Sequence, residues 1–298
     1  MIIRYCKIFL NIPYKVSFST FKVNTQIFNE FATVAYRYGH TLIPRAWKFS
    51  RKPEVHTASS LCPMRFAYFN PTKFNIGDDD SGKGWQNLLL GITETESKDF
   101  NSKVELSASN FLYCQGEKEC DLVKGFGQDL AARNIQRGRD HGIPNYIEFR
   151  KFCNQNCSCG LSIPASFDDK PDDISQENWD NIRSVYDSVE DIDAFTGGVS
   201  ERNIAEPGKD GLVGKTFACI IGLQFVNLKK GDRFFFTHEE NGSNGEQGLE
   251  KSIKESIRKR TLEDIICDNV PVQKITKNVF KINSDDFDCN NRNKITLP

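Results

Sequence analysis

The chain carries almost no net charge. Lys and Arg number 39 against 40 Asp and Glu, a formal balance of −1, and nothing in that points to nucleic acid or an anionic membrane as a partner. Histidine is scarce. The four residues, His40, His56, His141 and His238, confine any imidazole chemistry to a few positions. No apolar run is long enough to span a bilayer. The start, MIIRYCKIFLNIPY, is basic, but Lys7, Asn11 and Pro13 interrupt its short apolar stretch, which makes a poor signal peptide. No internal repeat is visible. The glycines Gly82 and Gly84 lack the strand–loop–helix setting of a phosphate loop. The acidic run in GDDDSGKG, residues 77–84, offers too few oxygen ligands for calcium and reads as an exposed turn.

What the chain does contain describes a folded domain or two. It has 298 residues, 38% of them hydrophobic and 27% charged, with 23 phenylalanines to fill a core. Ten cysteines favour an oxidising compartment. Glycosylation sequons at Asn156 and Asn241 agree with that, each weakly. Cys114 and Cys120 bracket a loop that a local disulfide can close. Cys153, Cys157 and Cys159 invite a zinc reading, but no second Cys/His pair stands nearby, and disulfides are the better expectation.

Two stretches carry chemistry. From Thr25, apolar residues at Phe28, Phe31, Ala32, Ala35, Tyr38 and Leu42 recur with helical spacing, with Asn24 or Thr25 as the cap. His40 ends this pattern, and Arg37 lies one turn earlier on nearly the same face. On composition alone such a histidine is more often a satisfied core group than a metal ligand. The second stretch, NIQRGRDHGIPNY, runs from Asn134 to Tyr146. Arg137, Arg139 and Asp140 are too many charges for a plain buried helix end, so they imply a polar hub or a bound anion. Asp129 to Gln136 reads as a helix broken by Gly138 and Gly142 and closed by Pro144. His141 competes with His40 as a metal ligand, and the residues alone do not separate the two. Elsewhere, WQNLLLGI is a short helix and IEFRKFC a helix to Cys153. Residues 164–180 form a long loop, and Lys251 to Cys267 an amphipathic helix. Lys230-Gly231-Asp232 matches adhesion triplets but reads better as a turn into a strand at RFFF.

The segments AYRYGHTLIP, NIQRGRDHGIP, NWDNIRSVYDSVEDIDAFTGGVSE and GKTFACIIGLQFVNLKKGDRFFF together resemble the animal haem peroxidases, from Phe28 to Cys289. The resemblance implies a mainly α fold with very little β structure. Residues 1–24 would be a leader outside it, and 25–298 the proximal half of one haem domain. It implies His40 as the proximal haem-iron ligand and Asn134 as the partner of its second ring nitrogen. It also implies Arg37 and Arg137 facing the haem propionates, their structural alternative being ion pairs to Asp140 or Glu148. His141 becomes a hydrogen-bonding hub residue. Position-matching implies disulfides Cys153–Cys219 and Cys267–Cys289, and leaves Cys6, Cys62, Cys157 and Cys159 unassigned. The family's distal histidine and arginine and its calcium loop have no counterpart here, so no catalytic residue is assigned. The implied activity is haem-dependent reduction of hydrogen peroxide coupled to oxidation of a small donor, in a secreted protein. The chain alone is expected to be a fragment with little turnover, which the missing half would complete by docking. The alternative is a non-catalytic extracellular adhesion or matrix module.

Overall fold

A computed structural model describes residues 23–48, 61–69, 84–116, 120–204, 211–232, 234–238, 249–282 and 284–295. The acidic turn at 78–80, Cys6, His56 and Asn241 lie outside the described residues. The chain divides into two compact units: Met1–Leu42 with Asp99–Val104 and Leu130–Gly248, and Ile43–Lys98 with Glu105–Asp129 and Leu249–Pro298.

The first unit is helical. The helix expected from Thr25 begins later, because the Asn24 side chain takes the Gln26 amide (2.9 Å) and turns the chain there. Helix α1 covers Asn29–Thr33. Gln224 receives the Phe28 amide at its start, at 2.6 Å. Val34, at φ −128° and ψ −75°, breaks the α geometry, and Ala35–Leu42 continues as a 3-10 helix. Helix α2, Leu130–Asp140, runs straight through Gly138 rather than stopping before it. The stop comes at Gly142, with φ +63°, where the Ile143 amide reaches back to the Gly138 carbonyl (2.9 Å). Helix α3, Tyr146–Cys157, is capped by Asn145 and extends a full turn past Cys153. Helices α4 (Gln176–Arg183), α5 (Ala194–Ser200) and α6 (Lys215–Gly231) follow.

Lys230 and Gly231 belong to the last turn of α6, and the expected RFFF strand does not form among the described residues. Asp232 satisfies the local amides instead, through its side chain to Phe234 (2.9 Å) and its carbonyl to Phe235 (3.1 Å). The glycine pair in α5 explains its fit. A Cβ at Gly197 would overlap the Tyr146 ring, and one at Gly198 the Phe217 ring, so α5 can only sit this close to α3 and α6 with glycine at both places.

The main core gathers Phe31, Val34, Phe149, Phe195, Phe217 and Ile220. A second cluster forms around Tyr146, Ile174 and Trp179. Where they adjoin lies a buried polar network. Arg150, 0% exposed, donates to Asp173 (3.0 Å), Glu201 (3.1 Å) and the Tyr146 hydroxyl oxygen (2.6 Å). Tyr146 donates to Glu201 (2.7 Å), which also accepts the Thr216 amide (2.9 Å).

In the second unit, β1 (Ala46–Lys48) pairs antiparallel with β2 (Leu61–Pro63), and β3 (Lys274–Thr276) with β4 (Asp286–Asp288). These short pairs are the only sheets among the described residues. WQNLLLGI is helical, within Gly84–Ile92. The amphipathic stretch forms two helices, Lys251–Lys259 and Leu262–Asn269, because Thr261 and Asp264 make a capping box between them. The architecture is therefore mainly α, as the sequence implies.

Of the disulfides, Cys114–Cys120 and Cys267–Cys289 form as expected. Cys153–Cys219 does not form: Cys219 is bonded to Cys157. The extra turn of α3 carries Cys157 to that position, while the Cys153 thiol faces the Thr216 carbonyl (3.7 Å).

Removing Arg150 would leave Glu201 buried without its cation. Arg150→Ala should cost about 3–5 kcal/mol of stability, read as a fall in the denaturant midpoint. A loss below about 0.5 kcal/mol, typical of a surface position, would show that the network is not coupled.

Candidate functional site

The first unit brings His40 and Asn134 together. The 3-10 helix carries Arg37 and His40 on one face. Helix α2 exposes Arg133, Gln136, Arg137 and Asp140, and buries one residue, Asn134, completely. Its amide nitrogen lies 2.9 Å from His40 Nδ1, and its carbonyl oxygen accepts from Arg37 Nη1 at 3.2 Å. A guanidinium has donors only, so Arg37 decides which end of the carboxamide faces it. The NH2 group is thereby turned to His40, whose Nδ1 acts as acceptor and whose ring proton sits on Nε2. Among the described residues Nε2 has no hydrogen-bond partner.

Arg37 also donates from Nε to the Ala32 carbonyl (3.1 Å), and among the described residues it meets no carboxylate. Burial, with Arg137 beside it, holds its pKa below the ordinary arginine value, although a guanidinium stays protonated. Arg137 is exposed and, among the described residues, pairs with Asp140 at 3.7 Å, a weak surface pair. The expected alternative partner Glu148 is bonded to Lys151 instead. Two neighbouring cations, one half-buried without an acid, form a place for carboxylates.

The remaining polar residues of the motif tie elements together. Arg139 forks onto Asp193 at 3.0 and 2.6 Å, ahead of α5. His141 is exposed and bonds the Asn29 side chain at 2.8 Å. The backbone carbonyl of His141 accepts from that side chain at 3.2 Å. His238 is buried, with Nε2 against the Asp232 carbonyl at 2.8 Å. The three described histidines thus differ in their partners. Gln224 was overlooked in the sequence, yet it fixes the start of α1; a lone glutamine inside the apolar run ACIIGLQF was the available signal.

A haem group fits these residues. His40 is half-buried with one ring nitrogen held, and among the described residues the other has no partner and the neighbouring Arg37 meets no carboxylate. The chain belongs to the animal haem peroxidase family, whose model matches residues 4–280, and that membership implies haem. It is 36% identical over 263 residues to peroxidasin homolog pxn-2 of Caenorhabditis elegans, covering 87% of this chain and 18% of that protein. It is 32% identical over 218 residues to peroxinectin A of Dictyostelium discoideum, covering 73% and 36%. Its fold is similar to the solved peroxidase A of Dictyostelium discoideum, with a TM-score of 0.59 and 30% identity, over 76% of this chain and 39% of that one. The chain therefore spans well under half the length of these relatives.

Burial and the nearby Arg37 charge hold the His40 pKa below its usual value. The imidazole protonates more readily in the unfolded chain, so its contribution to stability is present above about pH 6.5. That contribution is lost as pH falls from there through the folded pKa. Arg37→Gln should raise the His40 pKa, followed by the ring resonances in a pH titration; a further fall would refute the assigned electrostatics.

Proposed function

We propose that this chain forms the proximal, iron-binding side of a haem-dependent peroxidase. The observation that carries the reading is one buried carboxamide placed between His40 and an acid-free arginine. Bound haem would supply the redox chemistry by which hydrogen peroxide is reduced at the expense of a small donor. His40 would hold the iron through Nε2, and Arg37 and Arg137 the haem carboxylates.

This assignment makes a demand on Asn134. A metal takes the bare lone pair of a neutral imidazole, so the ring proton must move from Nε2 to Nδ1, and Nδ1–H then needs an acceptor. Once Arg37 turns to a carboxylate, the Asn134 amide is released to rotate and present its oxygen to Nδ1. Arg37 is therefore both a carboxylate ligand and the group that controls the proximal tautomer. No residue of this chain is assigned to moving the peroxide protons: His141 and His238 are engaged elsewhere. The reading takes the 298 residues alone as a haem binder with little turnover, needing a distal part to dock, and assigns no calcium to them. It places the protein outside the cell, supported by three disulfides. Exposed Asn156 is its glycosylation candidate. Among the described residues no helix is long and apolar enough to cross a membrane.

The test is haemin titration of the 298-residue chain, read from the Soret band. Saturable binding is expected, lost in His40→Ala and weakened about 10–100-fold in Asn134→Ala. Equal binding by wild type and His40→Ala would remove the ligand assignment. Brisk peroxide-dependent oxidation of a phenol by the same chain would overturn the claim of low turnover.

A further inference from the structure

The haem reading leaves four buried cysteines unexplained. Cys153, Cys157, Cys159 and Cys219 all lie in the main core, each no more than 4% exposed. Cys157 and Cys219 form the disulfide, and Cys153 and Cys159 are thiols. The Sγ atoms of Cys157, Cys159 and Cys219 lie within 4.8 Å of one another. The backbone holds Cys159 there. Helix α3 ends at Cys157, Ser158 takes a left-handed conformation (φ 51°), and the chain doubles back. Asn154 then clamps the return by bonding both the amide and the carbonyl of Leu161, each at 2.7 Å. Lys215, at the start of α6, donates to the Cys159 carbonyl at 3.2 Å.

We infer that Cys159 is the resident nucleophile of an internal thiol–disulfide exchange, in which Cys219 trades its bond to Cys157 for a bond to Cys159. The thiolate of Cys159 attacks Sγ of Cys219. The new sulfur–sulfur bond forms as the Cys157–Cys219 bond breaks. Cys157 leaves as a thiolate and takes up the proton that Cys159 released. One disulfide and the same thiols stand on both sides, so neither oxidant nor reductant is consumed.

The surroundings favour Cys159 as the attacking thiol. The neighbouring Cys153, with Lys215 and Arg150 adding to the effect, holds the Cys159 thiol below its ordinary pKa against burial and the Glu201 charge. Cys219 remains tethered in both isomers, in the helix whose Gln224 holds the Phe28 amide. Exchange shifts the anchor from the end of α3 to the returning loop without releasing α6.

The chain is made in an oxidising secretory host, held at pH 8, acid-quenched and unfolded in N-ethylmaleimide. The label and the disulfide partners are then mapped by fragmentation mass spectrometry. In wild type the label should appear on both Cys157 and Cys159, with Cys219 unlabelled. Cys157→Ser should keep Cys219 bonded, now to Cys159, and only Cys157→Ser/Cys159→Ser should free it for labelling. Cys153 is labelled in either case as a free thiol; label on Cys159 but not on Cys157 in wild type would overturn the inference. So would a free or Cys153-bonded Cys219 in Cys157→Ser. The wild-type measurement decides the matter even if the variants fold poorly.

Discussion

One carboxamide, wholly buried, faces two claimants. Asn134 has an oxygen and an NH2 group, and the residues on either side of it differ in what they accept: Arg37 only donates, and His40 does either. The orientation of a single amide therefore fixes the position of a proton on the far side of an imidazole. Everything else about the site serves to hold that amide still. Helix α2 turns its other polar side chains to solvent and Asn134 inward, and Val34 lies under Gly138, close enough to be met by a Cβ there at 3.8 Å. A buried polar group left unpaired costs about 1–3 kcal/mol, so Asn134 cannot idle between states. Both ends of its amide are bonded here, the nitrogen to His40 and the oxygen to Arg37.

The same economy of partners runs along α6. Thr216 gives its amide to Glu201 and its carbonyl to the Cys153 thiol. Cys219 is bonded to α3 about one turn on, and Gln224 holds the Phe28 amide further along. Each contact is polar or covalent, and each sits in an otherwise apolar helix. Apolar packing alone tolerates sliding, since many arrangements bury similar area. Directional bonds at intervals remove that freedom. The helix thereby acts as a ruler that sets where α1 starts, and through α1 where His40 lies.

How much of this was legible depended on the kind of signal. The pairing of His40 with Asn134 was readable because two local motifs carry it, and each motif folds as a unit. Element boundaries were less so. The helix expected from Thr25 divides at Val34, and α2 passes through Gly138 to stop at Gly142. The disulfide partner of Cys219 was misread because it was taken from position-matching to the family, and position-matching does not say how far α3 extends: one added turn replaces Cys153 by Cys157. The Arg37–Asn134 bond was invisible as well, since a motif names residues without saying which end of an amide each one meets.

Among the described residues Arg37 meets no carboxylate, which leaves its charge poorly compensated. Arg37 and Arg137 repel each other, and burial adds to the cost of the first charge. The carboxamide of Asn134 relieves part of that cost with a neutral acceptor, weaker than a carboxylate. A dianionic ligand would relieve more of it, and would do so at the step that also frees Asn134 to serve His40. On the proposed haem reading, ligand charge and ligand-ready tautomer would be coupled through one side chain. A neutral or cationic planar ligand of the same size would leave Arg37 where it stands and His40 with its proton on the wrong nitrogen. Selectivity for an anionic cofactor would then arise before any bond to a metal is made.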